Sequence, residues 1–177
     1  MEKKFKISES NLRCLIKSVI MESWDDMTND WRQETIDKHA HNGVVALYHN
    51  TRTQNLEDII GSGELDIYQR HVEGHGHMLF FTVNPDAWER ECKISIDIPV
   101  EDFDRRFRLI NTDSVVTEQN ISIDEYNFKI LKVKGLEADR IFEILTSDDK
   151  RLQDYILNKF FEDIPCIKSW FLQRLDE

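Results

Sequence analysis

Leu47-Tyr48-His49-Asn50-Thr51, then Ile59-Ile60-Gly61-Ser62-Gly63, then Leu79-Phe80-Phe81-Thr82 are the three stretches whose reading decides the fold. The first closes the apolar run Val44-Val45-Ala46-Leu47-Tyr48, which follows Gly43 and has the pattern of a buried strand. Thr51 to Thr53 offer a cap for a short helix over 55–60, and Gly61 and Gly63 signal its end. The third stretch lies in Met78-Leu79-Phe80-Phe81-Thr82-Val83, a second strand halted by Asn84-Pro85. Between them, 64–77 is polar and rich in His and Gly, and reads as a loop.

Downstream, residues 93–99 and 126–133 alternate polar with apolar side chains, the period of half-exposed strands. Residues 103–110 carry no decisive period, and 141–145 read as one more strand after Gly135. Ser147-Asp148-Asp149 cap a helix bearing Leu152, Tyr155, Ile156 and Phe160; Pro165 interrupts, and a last helix bears Trp170, Phe171 and Leu175. Upstream, 8–23 has Leu12, Leu15, Ile16, Val19 and Ile20 on one helical stripe, whereas 25–42 is polar, with Trp31 and Ile36 as isolated apolar points. The expected organisation is a helical extension over 1–42 and one domain over 43–177. Clustered strands with helices segregated to either side predict an α+β fold rather than a doubly wound parallel sheet.

Composition narrows the function classes. Thirty-four acidic against 23 basic side chains give a net charge of −11, which repels phosphate backbones and disfavours a nucleic-acid partner. Cys14, Cys92 and Cys166 are widely spaced and fit neither a disulfide framework nor a four-cysteine zinc site. No run approaches the roughly 18 apolar residues of a membrane span, so no membrane partner and a cytoplasmic address are expected. Neither G-x-G-x-x-G nor G-x-x-x-x-G-K occurs. His71 and His75 have the spacing of a helical metal pair, but Gly74 and Gly76 oppose a helix there, and no metal site is expected.

A strand ending in Tyr48-His49-Asn50-Thr51, a short helix ending at Gly, a loop, and a strand reading Phe80-Phe81-Thr82 together resemble the ADP-ribosyltransferase superfamily, over about residues 43–145. The resemblance implies a split antiparallel β core that uses NAD as substrate. His49 matches the histidine that hydrogen-bonds the nicotinamide ribose, with Thr51 supporting the same loop. Phe80 stands where histidine-type members place a tyrosine that stacks on nicotinamide, and it keeps the ring while losing the hydroxyl. Thr82 belongs to the same strand motif. Asn50 replaces the usual glycine, a residue that tolerates left-handed backbone. Arg52 and Arg70 are the basic residues nearest in sequence for a diphosphate. A glutamate opening a later strand completes the pattern by stabilising the cation that forms as nicotinamide leaves. Glu125, before 126–133, is preferred to Glu118.

The function so implied is mono-ADP-ribosyl transfer, a glycosyltransferase reaction, onto a macromolecular target, first of all a protein. Two other functions remain open: a non-catalytic binding module on the same fold, for a nucleotide or a protein, and an RNA 2′-phosphotransferase relative, which shares the His-x-Thr strand but needs several arginines around a phosphate. The opening helix also resembles the leader helix of many short phage-encoded proteins.

Overall fold

The computed structural model describes residues 30–67, 71–72, 76–87 and 89–176. The stripe over 8–23, Arg70 and His75 lie outside the described residues. Residues 30–39 are helical (α1) and lead into β1, Ala40–His41. Then come β2, Val44–Thr51; α2, Thr53–Ser62; β3, Glu64–Leu65; β4, His71–Val72; β5, Gly76–His77; and β6, Leu79–Thr82. The chain continues through β7, Cys92–Pro99; α3, Val100–Arg106; β8, Arg108–Leu109; β9, Ser114–Thr117; β10, Ile121–Ser122; β11, Asn127–Val133; and β12, Leu136–Glu137. It ends in α4, Ala138–Thr146; α5, Lys150–Tyr155; a π turn, Ile156–Phe160; and α6, Pro165–Leu175.

The expected α+β class is what the chain adopts. The main sheet is antiparallel and runs β12-β11-β7-β2-β6-β9-β8, with β1 alongside the start of β2; β3 pairs with β10, and β4 with β5. β2 and β7 form its spine through eight registered pairs, from Val44↔Pro99 to Thr51↔Cys92. With β7 along one edge of β2, its other edge is shared: β1 takes Val44 and Val45, and β6 meets it in register only at Tyr48↔Thr82. No further register pair joins β2 and β6 beyond Tyr48.

Both central strands bury most of their apolar residues: Val45 and Leu47 on β2, and Cys92, Ile94, Ile96 and Ile98 on β7. β7 is more buried than its alternation predicts, because flanking strands on both sides also enclose Ser95. Phe81, Phe103 and Phe107 pack ring to ring in one part of the core, and Phe142, Phe161, Trp170 and Phe171 in another. Gly63 ends α2 in left-handed conformation, φ 75°, as its place after the helix implies. Asp149 caps α5 by accepting from the N–H groups of Arg151 and Leu152.

One sequence expectation changes, and one open stretch resolves. Residues 141–145 are not a strand: they lie in α4, where Ala138, Ile141 and Ile144 are buried at a spacing of three. An apolar run this short fits either period, and the turn at Lys134-Gly135 closes the β11–β12 hairpin before it starts. The ambiguous 103–110 resolves into the end of α3 and β8. Ahead of Gly43, Trp31, Ile36 and Ala40 pack on the core and Arg32 donates to the carbonyls of Asp104 and Phe107.

Glu57, 8% exposed in the middle of α2, fixes α6 behind the sheet. One carboxylate oxygen accepts from the Cys166 N–H at 2.7 Å and the other from the Ile167 N–H at 3.0 Å. Those are orphan donors of the first turn of α6, at the positive end of its dipole. Glu57→Ala leaves them buried and unsatisfied, and is expected to cost about 2 kcal/mol. Urea unfolding followed by tryptophan fluorescence checks this; an unchanged midpoint would show that α6 is anchored by its apolar face alone.

Candidate functional site

Beyond the Tyr48↔Thr82 pair, a cavity of about 420 Å³ opens, lined by residues 49–52, Asn55 and Ile59 of the β2–α2 segment, Leu65 and Asp66, Met78, Leu79 and Phe80, and Arg90. Its volume is within the roughly 300–1,000 Å³ range of small-ligand sites. Both Leu79 and Phe80 of β6 line it, although strand alternation puts them on opposite faces, Leu79 with the buried Phe81.

His49 sits near the end of β2, opposite Ile94, with its ring 5.5 Å from that of Phe81. Its Nδ1 lies 2.7 Å from the carbonyl oxygen of Phe80, linking β2 to β6. A carbonyl only accepts, so Nδ1 carries the proton, and in the neutral ring Nε2 is the acceptor nitrogen. Thr51 is 5% exposed and pairs with Cys92. Asn50 does not take the left-handed backbone that a glycine replacement suggests: it stays in the ladder opposite Lys93, and its Nδ2 donates to the Ala87 carbonyl. β2 simply runs on to Thr51 before it turns.

Arg52 holds the N-cap position of α2 with extended backbone and contributes no side-chain cap. The cap comes from elsewhere. Glu91 accepts from the Thr53 N–H at 3.1 Å and from the Thr53 hydroxyl at 2.8 Å, so Thr53 is the first helical residue rather than the cap. These bonds, the backbone one foremost, hold the Glu91 carboxyl below the usual carboxylate range, with the charges of Arg52 and Arg90 adding to the effect. Arg52 and Arg90 are both exposed, and neither guanidinium is hydrogen-bonded or ion-paired to a described residue.

The sequence-matched residues His49, Thr51 and Phe80, and Arg52, named there as a nearby basic residue, therefore share one cavity. Thr82 does not line it: it is 1% exposed, and its hydroxyl oxygen accepts the Asn84 N–H at 3.0 Å to form the turn before Pro85. Glu125 is also elsewhere. The start of β11 is level, through Asp97, with Ala46, three residues short of His49. That is ~10 Å along the strands and another ~10 Å across two strand spacings, and Glu125 lies further out still. Glu125 is ion-paired with Arg106, which also meets Gln119, the Asn120 carbonyl and Tyr126. Glu118 pairs with Arg108 at the surface.

Arg90, Asn55 and Asp66 complete the lining and were not singled out in sequence. Arg90 is 38 positions from Arg52, and only the Thr51↔Cys92 register brings the two to the same cavity. Of the histidine cluster, His71 and His77 face each other across the β4–β5 pair, and no group of three metal-ligating side chains occurs among the described residues. Cys92 is fully buried, and burial pushes its thiol above its ordinary value, which suits a structural residue rather than a nucleophile. Among the described residues no helix is long and apolar enough to cross a membrane. In comparisons with known proteins, the chain matches no family model, no curated protein and no solved structure.

Because the Glu91 carboxyl is held low in the folded state, its stabilising bonds are fully present above the unfolded carboxylate value of about 4.3 and are lost as pH falls through the folded value. Glu91→Gln should therefore lower the melting temperature at pH 7, with the gap to the unsubstituted protein closing below about pH 4. Paired thermal melts from pH 7 to 3 measure the gap; one that stays constant would exclude the carboxylate as the α2 cap.

Proposed function

We propose that the His49 cavity binds NAD and that the protein transfers ADP-ribose from it to a macromolecular acceptor, a protein in the first instance, as a mono-ADP-ribosyltransferase with a split antiparallel core. The observation that carries this is that His49, Thr51 and Phe80, matched one by one in sequence, line one cavity together with Arg52, beside the single β2–β6 register pair. Each supplies what the ligand needs. His49, its ring oriented by the bond between Nδ1 and the Phe80 carbonyl, is the residue matched to the nicotinamide ribose. Phe80 gives an apolar face for nicotinamide, and Arg52 with Arg90 gives two cations for a diphosphate. In the reaction the bond from ribose C1′ to the nicotinamide nitrogen breaks and its electron pair leaves with nicotinamide. An acceptor nucleophile then bonds to C1′ and releases its proton to solvent.

A second reading, RNA 2′-phosphotransfer, also consumes NAD, and the pair Arg52 and Arg90 favours it, because that chemistry needs arginines around an acceptor phosphate. The acidic surface opposes a long RNA partner but not a short phosphorylated end.

Thermal melts with and without NAD test the reading, since a ligand binding only the folded state raises the midpoint, by the equivalent of about 2.7 kcal/mol at one hundred times its Kd. Arg52→Ala and Arg90→Ala should each weaken NAD binding about fivefold, or ~1 kcal/mol, the scale of one solvent-screened charge contact, while leaving the ligand-free midpoint in place. Mass spectrometry of a host-cell lysate and of a 2′-phosphorylated RNA, each incubated with NAD, then separates the two acceptors. Binding without either product identifies a non-catalytic module, and no NAD-dependent shift would sink the whole reading.

A further inference from the structure

A second cavity, of about 550 Å³, is formed between the C-terminal end of α2, the turn at Ile123-Asp124 and one side of α6, with Phe128 among its apolar walls. It shares no lining residue with the His49 cavity: α2 gives Ile59 to one and Ile60 to the other. Its volume too is within the range of small-ligand sites.

The walls are fixed by bonds of their own. Glu57 holds the first turn of α6 through the N–H groups of Cys166 and Ile167. One turn further along α2, Gly61 lets the two helices approach, since a Cβ there would stand 3.2 Å from the Cys166 sulfur. The Ile123 N–H donates to the Gly63 carbonyl at 3.0 Å, which ties the 122–125 turn to the end of α2. Within that turn the Asp124 N–H donates to the Ser122 hydroxyl oxygen at 3.3 Å.

Trp170 brings an unmet donor to this frame. It is 7% exposed and its ring packs against Phe128, Phe142 and Phe171, yet its indole Nε1–H is shielded from solvent and meets no hydrogen-bond partner among the described residues. An indole nitrogen only donates, and a buried donor left unmet is costly. The guanidinium of Arg174 lies over the same ring, 3.8 Å from its centre. Among the described residues it makes one long hydrogen bond, 3.4 Å to the Trp170 carbonyl, and no ion pair. The Asp124 carboxylate is exposed and is also ion-paired to no described residue. In a chain of net charge −11, this lining carries one charge of each sign, and the two do not neutralise each other.

We propose that this cavity binds a free zwitterionic amino acid with an apolar side chain. The ligand carboxylate has two oxygens, one for the Arg174 guanidinium and one for the Trp170 N–H. Asp124 takes the ammonium group, and Ile60, Ile123 and Phe128 give the side chain an apolar wall. A simple anion meets repulsion from Asp124 and a simple cation meets it from Arg174, so a ligand bearing both charges is selected. Because the indole N–H is shielded, binding requires Arg174 to shift on its flexible stem. The proposal is independent of the NAD reading.

Calorimetric titration and proton–nitrogen correlation spectra of the full chain test it with four probes. L-Phenylalanine and L-leucine carry both charges, L-phenylalaninamide lacks the carboxylate, and phenylpropanoate lacks the ammonium group. At least one of the two amino acids should bind and shift the Trp170 indole N–H resonance, identified by its loss in Trp170→Phe. The amide and phenylpropanoate should bind at least about tenfold more weakly than L-phenylalanine, the scale of one charge-assisted hydrogen bond. Arg174→Gln and Asp124→Asn should each cost a similar factor, whereas Arg151→Gln, on α5 and outside the cavity, should cost nothing. The proposal is overturned if neither amino acid binds, or if the amide or phenylpropanoate binds as well as L-phenylalanine. It is equally overturned if Arg174→Gln keeps full affinity, or if the indole resonance stays in place at saturation.

Discussion

Eight consecutive residue pairs between Val44–Thr51 and Cys92–Pro99 set almost everything else in this molecule. Because side chains alternate strictly along a strand, a slip of one residue in this ladder would exchange core and surface along both strands, turning Val45, Leu47, Ile94 and Ile96 outward. The register that buries them also ends with Thr51 against Cys92. That places Glu91 on the first turn of α2 and Arg90 at the same cavity as Arg52. One pairing therefore caps a helix, builds the core and assembles the basic part of the candidate site.

The site exists because the opposite edge of β2 is treated differently. β6 contacts it in register only at Tyr48↔Thr82 and continues with β9, through Phe80↔Val116 and Leu79↔Thr117. A strand that leaves its neighbour exposes backbone donors and acceptors to whatever fills the gap. Here His49 answers part of that demand through its bond to the Phe80 carbonyl, and the same bond fixes the ring's tautomer. The histidine is thus a structural clasp between β2 and β6, which is why a strand-end imidazole here differs from an ordinary surface histidine.

Charge follows a similar logic. In a chain of net charge −11, Arg105, Arg106, Arg108 and Arg140 are all ion-paired. The exposed pairs among these contribute little to stability, but each occupies a cation. Arg52 and Arg90 are left to the cavity, with Glu91 tied to Thr53 rather than to either. The distribution of charge, more than its sum, defines what the cavity can hold.

The strands β2, β6, β7 and β11, α2 with its glycine stop and the cap at Asp149 are legible in sequence, because strand alternation, capping chemistry and left-handed glycine are local properties written over a few neighbouring residues, whereas the buried β9 carries no such signal. So is the grouping of His49, Thr51, Arg52 and Phe80, since two of its segments lie on strands joined by one short helix and a loop. Residues 141–145 were misread because five apolar-rich positions satisfy either period until their partners are known. Glu125 was placed by its position before a strand, and Arg90 and Asp66 were passed over, for one reason: which residues meet across a sheet depends on register and strand order. Those are settled by the joint burial of distant faces, not by any local pattern. Local patterns thus fix most elements and the side-chain chemistry at hand. Which arginines share a cavity with His49 follows from strand register, because pairing compares whole strands at once and brings together residues that no short window contains.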